Sequence, residues 1–198
     1  MPSPVRLLLA SSNPGKLGEF RVLATGHKLD LALFPRFDSL PAFDESAPTF
    51  AENAAGKALH YSRFTKQPVM ADDSGLVVPA LGGAPGVKSA RYAGLGATDA
   101  DRVQKLLGEM RGKPARDREA RFVCVLAVAQ AGHVLTVVSD FVTGELLEEP
   151  RGADGFGYDP IFFSSVLGKS LAEISRIEKN SVSHRGKAFR KLLAAMGT

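Results

Sequence analysis

A strand, a polar loop and a helix follow one another directly near the start of the sequence, and this unit limits the possible folds most. Val5–Ala10 is an apolar run of the length of a buried strand. Within Ser11–Lys16, Asn13 is suited to cap a helix and Pro14 to occupy its first position. Apolar residues then recur at helical spacing. Open α/β sheets bind ligands at such loops, so we predict a mixed α/β fold.

The rest of the chain repeats this alternation of short strands, loops and helices. Strands are predicted at Leu29–Phe34, Pro68–Ala71, Arg121–Ala131 and His133–Thr143, and helices after Thr49, Thr98, Ser170 and Ser183. The tight Ala131-Gly132 turn predicts an antiparallel hairpin. Residues 72–92 are glycine-rich and are predicted to be irregular, and residues 148–160 to form a long polar loop. We expect one domain spanning residues 1–198.

The composition favours an ordinary globular protein, and the cytoplasm is the expected compartment. No apolar run is long enough to span a bilayer, and residues 1–6 do not resemble an export signal. Cys124 is the only cysteine and is predicted to be buried and inert. The excess positive charge lies in residues 151–198, which hold eight Lys/Arg and four Asp/Glu. This charge fits either a small polyanion or a nucleic acid.

Two loops in the first half of the chain suggest phosphate and metal chemistry. Ser11–Lys16 combines small residues, a helix start and a lysine, which favour an anion; the alternative is an ordinary capped turn. It lacks the Walker A spacing. Asp72 and Asp73 are adjacent carboxylates that suit Mg²⁺, with Asp44-Glu45 as a further source of ligands. Capping aspartates in a turn are the alternative for Asp72-Asp73.

Two loops in the second half suggest a base platform and a basic clamp. Phe156 stands between glycines in Gly155–Pro160 and could stack on a nucleobase, or could instead plug the loop onto the core. His184, Arg185 and Lys187 are predicted to lie in the first turn of the last helix. Positive charge there opposes the helix dipole unless an anion or an electron-rich carbonyl is bound; a solvated basic turn is the alternative.

Together these loops closely resemble the inosine/xanthosine triphosphate pyrophosphatases, which hydrolyse noncanonical purine nucleoside triphosphates. The matching segments are Ser11–Lys16, Thr49–Asn53, Ala71–Leu76, Leu81–Gly86, Ser89–Gly94, Gly155–Phe162 and Ser183–Gly186. The resemblance implies an elongated mixed sheet with flanking helices, two lobes around a central cleft, and a homodimer. It also implies conversion of ITP, dITP or XTP to the monophosphate and pyrophosphate.

The resemblance also implies residue roles. Glu45 and Asp73 would bind Mg²⁺, and Asp73 would be the catalytic base. Lys57 is expected, from its charge, to help neutralise the phosphates. By the resemblance, the other substrate-binding residues would be Ser11, Ser12, Asn13, Lys16, Ser74, Phe156, Gly157, Tyr158, Asp159, Lys179, His184 and Arg185. In that set, residues 156–159 would form the base pocket, and Lys179, His184 and Arg185 would close it. The family's first loop commonly reads Thr-Gly-Asn, whereas this chain has Ser11-Ser12-Asn13.

Two other functions remain open from the sequence. A related pyrophosphatase acting on pyrimidine triphosphates would use the same phosphate chemistry. A nucleic-acid-binding protein would use the basic last quarter and Phe156, but it leaves Glu45 and Asp73 unexplained. Arg185 has only hydrogen-bond donors, so we predict that it favours a 6-oxo purine over adenine. We therefore expect a purine nucleotide as the substrate, with no nucleic-acid or membrane partner.

Overall fold

The computed structural model describes residues 5–197. Within this range the helices and strands follow the order that the sequence predicts as far as residue 146, whereas the strands at 162–164 and 169–170 and the helix at 176–182 were not predicted. The helices are α1 (Pro14–Ala24), α2 (Phe50–Ser62), α3 (Asp99–Glu109), α4 (Arg176–Val182) and α5 (His184–Met196). The strands are β1 (Val5–Leu9), β2 (Leu29–Leu33), β3 (Val69–Val77), β4 (Glu119–Gln130), β5 (His133–Leu146), β6 (Phe162–Ser164) and β7 (Lys169–Ser170).

These strands form one mixed sheet with the order β2-β1-β3-β4-β5-β6-β7. Strand β1 is parallel to β2 and to β3, while β6 is antiparallel to β5 and to β7. Parallel neighbours need a crossover, and α1 and α2 lie in the two connections that provide it. The predicted mixed α/β class is confirmed.

Local sequence signals account for the ends of several elements. Asn13 caps α1 and Pro14 is its first residue, as predicted. Thr49 caps α2 by accepting a hydrogen bond from the N–H of Glu52. Ala131 and Gly132 both have positive φ, 49° and 81°, as a two-residue hairpin turn between β4 and β5 requires. The predicted hairpin is therefore confirmed.

The predicted irregular segment at residues 72–92 is wrong at its beginning. Strand β3 continues to Val77, so Asp72 and Asp73 lie inside the strand rather than after it. The apolar pattern ends at Ala71, but the strand does not, because partners elsewhere in the fold accommodate both carboxylates. Two adjacent aspartates in an extended segment direct their side chains to opposite faces of the sheet.

The helix predicted to begin at Ser170 is also wrong. Oε2 of Glu173 does accept a hydrogen bond from the N–H of Ser170, at 2.7 Å, but no helix follows. The next helix, α4, begins after Ser175, which forms a capping box with Glu178. The same spacing of serine and glutamate occurs twice within nine residues, and only the second copy precedes a helix.

The chain divides into two compact units, each with its own apolar core. Among the described residues, unit 1 comprises 5–73, 124–140 and 184–197, and unit 2 comprises 74–123 and 141–183. In unit 1 the rings of Phe20 and Phe189 lie 5.6 Å apart between centroids. In unit 2 those of Phe122 and Phe162 lie 4.6 Å apart. The expectation of one functional domain stays a prediction.

Cys124 lies in the core of unit 1 with no exposed surface. Burial, together with the nearby charge of Asp72, raises the pKa of its thiol. The prediction of a buried cysteine is confirmed, and a thiol held protonated is a poor nucleophile.

Across residues 5–197, no helix has both the length and the apolar character needed to cross a membrane.

Candidate active site

The loop after β1 is organised by its own side chains. Oδ1 of Asn13 accepts a hydrogen bond from the N–H of Lys16 at 3.0 Å, and Oγ of Ser11 accepts one from the N–H of Asn13 at 3.2 Å. Ser11 is buried, whereas Ser12 and Asn13 are exposed. Within the first turn of α1, which begins at Pro14, no acidic residue opposes the positive end of the helix dipole. The loop is therefore suited to an anion.

Lys16 forms an ion pair with a buried carboxylate of β3. Its Nζ lies 2.8 Å from Oδ1 of Asp72, a residue that is 1% exposed. Burial alone would raise the pKa of Asp72, but the charges of Lys16 and Arg185 outweigh it and lower that pKa. Asp72 is consequently ionised at neutral pH and fixes the position of the Lys16 ammonium group.

A second buried ion pair lies beside Asp72. Arg185, the second residue of α5, is 2% exposed, and its Nη1 contacts Oε2 of Glu19, which is also 2% exposed. Nε of Arg185 lies 3.9 Å from Oδ2 of Asp72. Lys16, Asp72, Arg185 and Glu19 therefore form a chain of alternating charges inside unit 1. We call this chain the buried charge relay.

Asp73 has a different environment from its neighbour. It is 6% exposed and accepts a hydrogen bond from the side chain of Asn53. Among residues 5–197, no hydrogen-bond donor reaches its buried Oδ2 atom. Burial raises the pKa of Asp73 from 3.8 to about 6, although the Asn53 hydrogen bond and the charge of Lys16 oppose the shift. A carboxylate of this kind is a stronger base than an ordinary aspartate.

Asn53 connects Asp73 to the loop that carries Glu45. In addition to bonding Asp73, the fully buried Asn53 side chain accepts from the N–H of Ala47 at 3.0 Å and donates to its carbonyl at 3.3 Å. Nζ of Lys57 lies 2.5 Å from Oε1 of Glu45. Burial alone would lower the pKa of Lys57, but the charge and hydrogen bond of Glu45 together with the charges of Asp72 and Asp73 outweigh it and raise that pKa. Lys57 is therefore a cation at neutral pH.

The carboxylates of this region fit a magnesium ion. Within residues 5–197, no group of three or more Asp, Glu, His or Cys side chains is placed to hold a metal. Structural zinc sites usually need four such ligands, whereas Mg²⁺ is commonly held by one or two carboxylates together with water and phosphate oxygens. Asp73 supplies a buried oxygen without a donor, and Glu45 contributes to its electrostatic environment.

The raised pKa of Asp73 predicts how the stability of the metal-free protein depends on pH. Between 3.8 and about 6 the folded state binds a proton on Asp73 that the unfolded state does not. The contribution of protonated Asp73 to the stability of the folded state is therefore complete below pH 3.8, and it is lost as the pH rises through about 6. Denaturant unfolding in EDTA should show that Asp73→Asn gains stability, relative to the parent protein, between about pH 4.5 and about pH 7.5. An equal difference at both pH values would contradict this expectation.

In unit 2, the loop containing Phe156 is held by charged side chains. Gly155 and Gly157 both have positive φ, 79° and 63°, which glycine adopts without steric cost. Oδ2 of Asp159 accepts hydrogen bonds from the N–H of Phe156 at 2.9 Å and from Nζ of Lys179 at 2.5 Å. That Nζ also lies 4.7 Å from the centre of the Phe156 ring. We call residues 155–159 the base loop.

Three residues predicted for the base site have structural partners of their own. Tyr158 is 3% exposed, belongs to the core of unit 2, and donates its hydroxyl proton to the carbonyl of Ser89 at 2.9 Å. Burial raises the pKa of that hydroxyl. Asp159 and Lys179 are 2% and 3% exposed and pair with each other. The Tyr158 ring is thus a core side chain, and only its backbone remains for a role in a base pocket.

The structure distributes the other predicted residues between the two units. His184 and Arg185 belong to unit 1 and begin α5, as predicted, and both are buried. Lys179 lies in α4 of unit 2. Ser74, the first residue of unit 2, is half-buried in β3. The prediction that Arg185 donates to a purine stays a prediction, and its guanidinium is already shared with Glu19.

Sequence reasoning missed Glu19 and Asn53, to which it gave no role. Asn53 did carry a signal, because it is a polar residue on the buried face of α2, beside Ala54 and Ala58. Glu19 carried none, since its partner is 166 positions away.

Comparison with known proteins gives consistent matches over nearly the whole chain. The model of the Ham1 family matches residues 7–195. A relative from Geobacillus kaustophilus, named dITP/XTP pyrophosphatase, is 48% identical over 186 residues, covering 94% of this chain and 91% of the relative. The solved structure of a HAM1 protein from Coxiella burnetii matches with a TM-score of 0.87 and 41% identity, covering 98% of each chain. The Ham1 protein of Staphylococcus aureus matches with a TM-score of 0.84 and 35% identity, covering 97% of this chain and 98% of the other.

Proposed function

The chain belongs to the Ham1 family, and we propose that it hydrolyses noncanonical purine nucleoside triphosphates, namely ITP, dITP and XTP. The products are the nucleoside monophosphate and pyrophosphate. The proposal is supported by the relatives named dITP/XTP pyrophosphatase. The observation that carries it is the buried Asp73, a carboxylate with a raised pKa, in the same unit as the Lys16 loop. Together they supply a base and an anion site.

In this proposal Asp73 is the general base. Water attacks the α-phosphorus, its proton passes to Asp73, and the bond to the pyrophosphate oxygen breaks. With a pKa of about 6, Asp73 is mostly ionised at neutral pH and still accepts a proton more readily than an aspartate of ordinary pKa. Asn53 orients the carboxylate by donating to it.

The phosphates are bound by the loop after β1 and by two lysines. Ser11, Ser12 and Asn13 supply polar groups at the start of α1, and Lys16 and Lys57 supply positive charge. Asp72 holds Lys16 in place before the substrate binds. A cation that is already positioned stabilises the growing charge of the leaving pyrophosphate without reorganisation.

Glu45 and Asp73 would hold the Mg²⁺ ion that we propose as the cofactor. When bound, Mg²⁺ neutralises phosphate charge and makes an attacking water more acidic. In the structure Glu45 is paired with Lys57. In the proposal the Glu45 carboxylate exchanges this ammonium partner for Mg²⁺.

The base loop, with Ser74, is proposed to bind the nucleobase. Phe156 offers a ring for stacking, and Lys179 beside it has donors only. Hypoxanthine and xanthine present a 6-oxo acceptor, whereas adenine presents a 6-amino donor. Donors of Lys179 would therefore match the first two bases and leave adenine poorly paired, at a cost of about 1–3 kcal/mol.

The direct test is the product released from a panel of nucleotides. Purified protein with Mg²⁺ should release pyrophosphate from ITP and XTP about fivefold to 150-fold faster than from dATP, as the mismatch energy implies, and faster than from UTP. EDTA should abolish the release. Fastest turnover of UTP or dTTP would instead identify the pyrimidine pyrophosphatase, and orthophosphate as the first product would exclude both. The homodimer, the cytoplasmic location and the lack of a nucleic-acid partner stay predictions.

A further inference from the structure

We propose that Asp99, with Arg102, is a positioning residue that holds the base loop in its binding conformation. This inference rests on the base-binding role proposed for residues 155–159. It concerns unit 2 alone, because Asp99, Arg102 and the base loop all belong to that unit.

The contact that carries the inference joins two segments far apart in sequence. Oδ2 of Asp99, the first residue of α3, accepts a hydrogen bond from the N–H of Gly157 at 2.7 Å. The acceptor is a carboxylate, so this hydrogen bond is of the stronger, charge-assisted kind. Gly157 adopts a left-handed conformation at this point, with φ of 63°. The Asp99 carboxylate therefore anchors the base loop directly after Phe156.

Arg102 fixes the orientation of the Asp99 carboxylate. Its Nη2 contacts Oδ1 of Asp99, which leaves Oδ2 for Gly157. Its Nη1 donates to the carbonyls of Ala97 at 2.6 Å and Ala90 at 2.9 Å. The guanidinium thus ties α3 to the segment before it, and the carboxylate cannot rotate without losing an ion pair.

The base loop is anchored to the same segment a second time. Tyr158 donates its hydroxyl proton to the carbonyl of Ser89, the residue before the Ala90 that Arg102 contacts. Oγ of Ser89 in turn accepts from the N–H of Leu76 at 2.9 Å. Gly157 is therefore held by Asp99, and Tyr158, the next residue, is held by the carbonyl of Ser89. Of these four residues, only Asp99 is charged.

A capping role for Asp99 would be a purely structural alternative, and the chain provides a matched control for it. Thr98 and Asp101 form the capping box of α3, with Oδ2 of Asp101 accepting from the N–H of Thr98 at 2.8 Å. Asp101 lies two residues from Asp99, on the same first turn. Loss of Asp101 should therefore weaken the helix without releasing Gly157.

The experiment compares Asp99→Ala, Asp99→Asn and Asp101→Ala in the full-length protein. We expect Asp99→Ala to raise KM for ITP about fivefold to tenfold with kcat within about twofold, because loop ordering contributes to binding and not to the chemical step. Asp99→Asn should give a smaller increase, since its amide oxygen still accepts from Gly157. Asp101→Ala should lower Tm and leave KM unchanged.

Amide hydrogen exchange of residues 155–159 in the nucleotide-free protein provides a readout independent of activity. Asp99→Ala should accelerate this exchange and Asp101→Ala should not. An unchanged KM for Asp99→Ala, or the same effects from Asp101→Ala, would overturn the proposal. If Asp99→Ala does not fold, the Asp99→Asn results decide by the same criteria. If the parent protein does not hydrolyse ITP, the proposed function fails, and hydrogen exchange alone still decides whether Asp99 positions the loop.

Discussion

Asp73→Asn should lower kcat for ITP by about 10²–10⁴-fold, the contribution usual for a general base. The substitution keeps the size of the side chain and removes its ability to take a proton. It also replaces a carboxylate that we propose as a ligand of Mg²⁺ with a neutral amide. The measurement is the initial rate of pyrophosphate release under saturating ITP and Mg²⁺.

A control variant and a stability measurement make this test specific for Asp73. Asp38→Asn removes a carboxylate from the exposed surface of unit 1 and should leave kcat unchanged. The Tm of Asp73→Asn should not fall below that of the parent protein at neutral pH, since burial already disfavours the Asp73 charge. A folded Asp73→Asn protein with more than about a tenth of the parental kcat would rule out the base role, whose loss costs at least 10².

Arg185→Met should be the most destabilising of these substitutions, with a loss of about 3–5 kcal/mol in the free energy of unfolding. It removes the partner of Glu19 and one of the cations near Asp72, and both carboxylates are almost fully buried. The apolar stem of methionine keeps much of the packing against Phe20. For a chain of this size, Tm should fall by roughly 10 °C. Urea unfolding and differential scanning calorimetry would measure the two quantities.

A second substitution separates charge burial from lost packing. Adding Glu19→Gln to Arg185→Met removes the buried carboxylate whose ion pair with Arg185 is lost, and should recover a large part of the lost stability. Arg121→Met breaks the exposed pair with Glu119 and should cost less than about 1 kcal/mol. If Arg185→Met lowered the free energy of unfolding no more than Arg121→Met does, the buried charge relay would not be important for stability.

The sequence predicted those parts of the fold and candidate site that depend on local patterns. The cap at Asn13, the helix after Thr49 and the Ala131-Gly132 hairpin each depend on a few adjacent residues, and the structure contains all three. The fold class follows from the order of these units. The start of the last helix at His184 was likewise marked by Ser183.

Features that depend on distant partners could not be predicted. The end of β3 was misplaced because Asp72 looks like a turn residue until Lys16 and Arg185 are brought beside it. The helix expected after Ser170 failed because its capping pattern had no helical segment to stabilise. Asp99 follows the predicted helix cap at Thr98, and its hydrogen bond to Gly157, 58 residues away, has no signal in the chain.

The close contact between Gly155 and Asp159 limits which residues of the proposed base loop could be varied. A Cβ atom at Gly155 would lie 2.3 Å from Oδ2 of Asp159, on a backbone with φ of 79°. Any side chain there would displace the carboxylate that holds Phe156 and Lys179. A mutagenesis library that tests the proposed base-binding role should therefore keep Gly155 fixed and vary Phe156, whose side chain is half-buried.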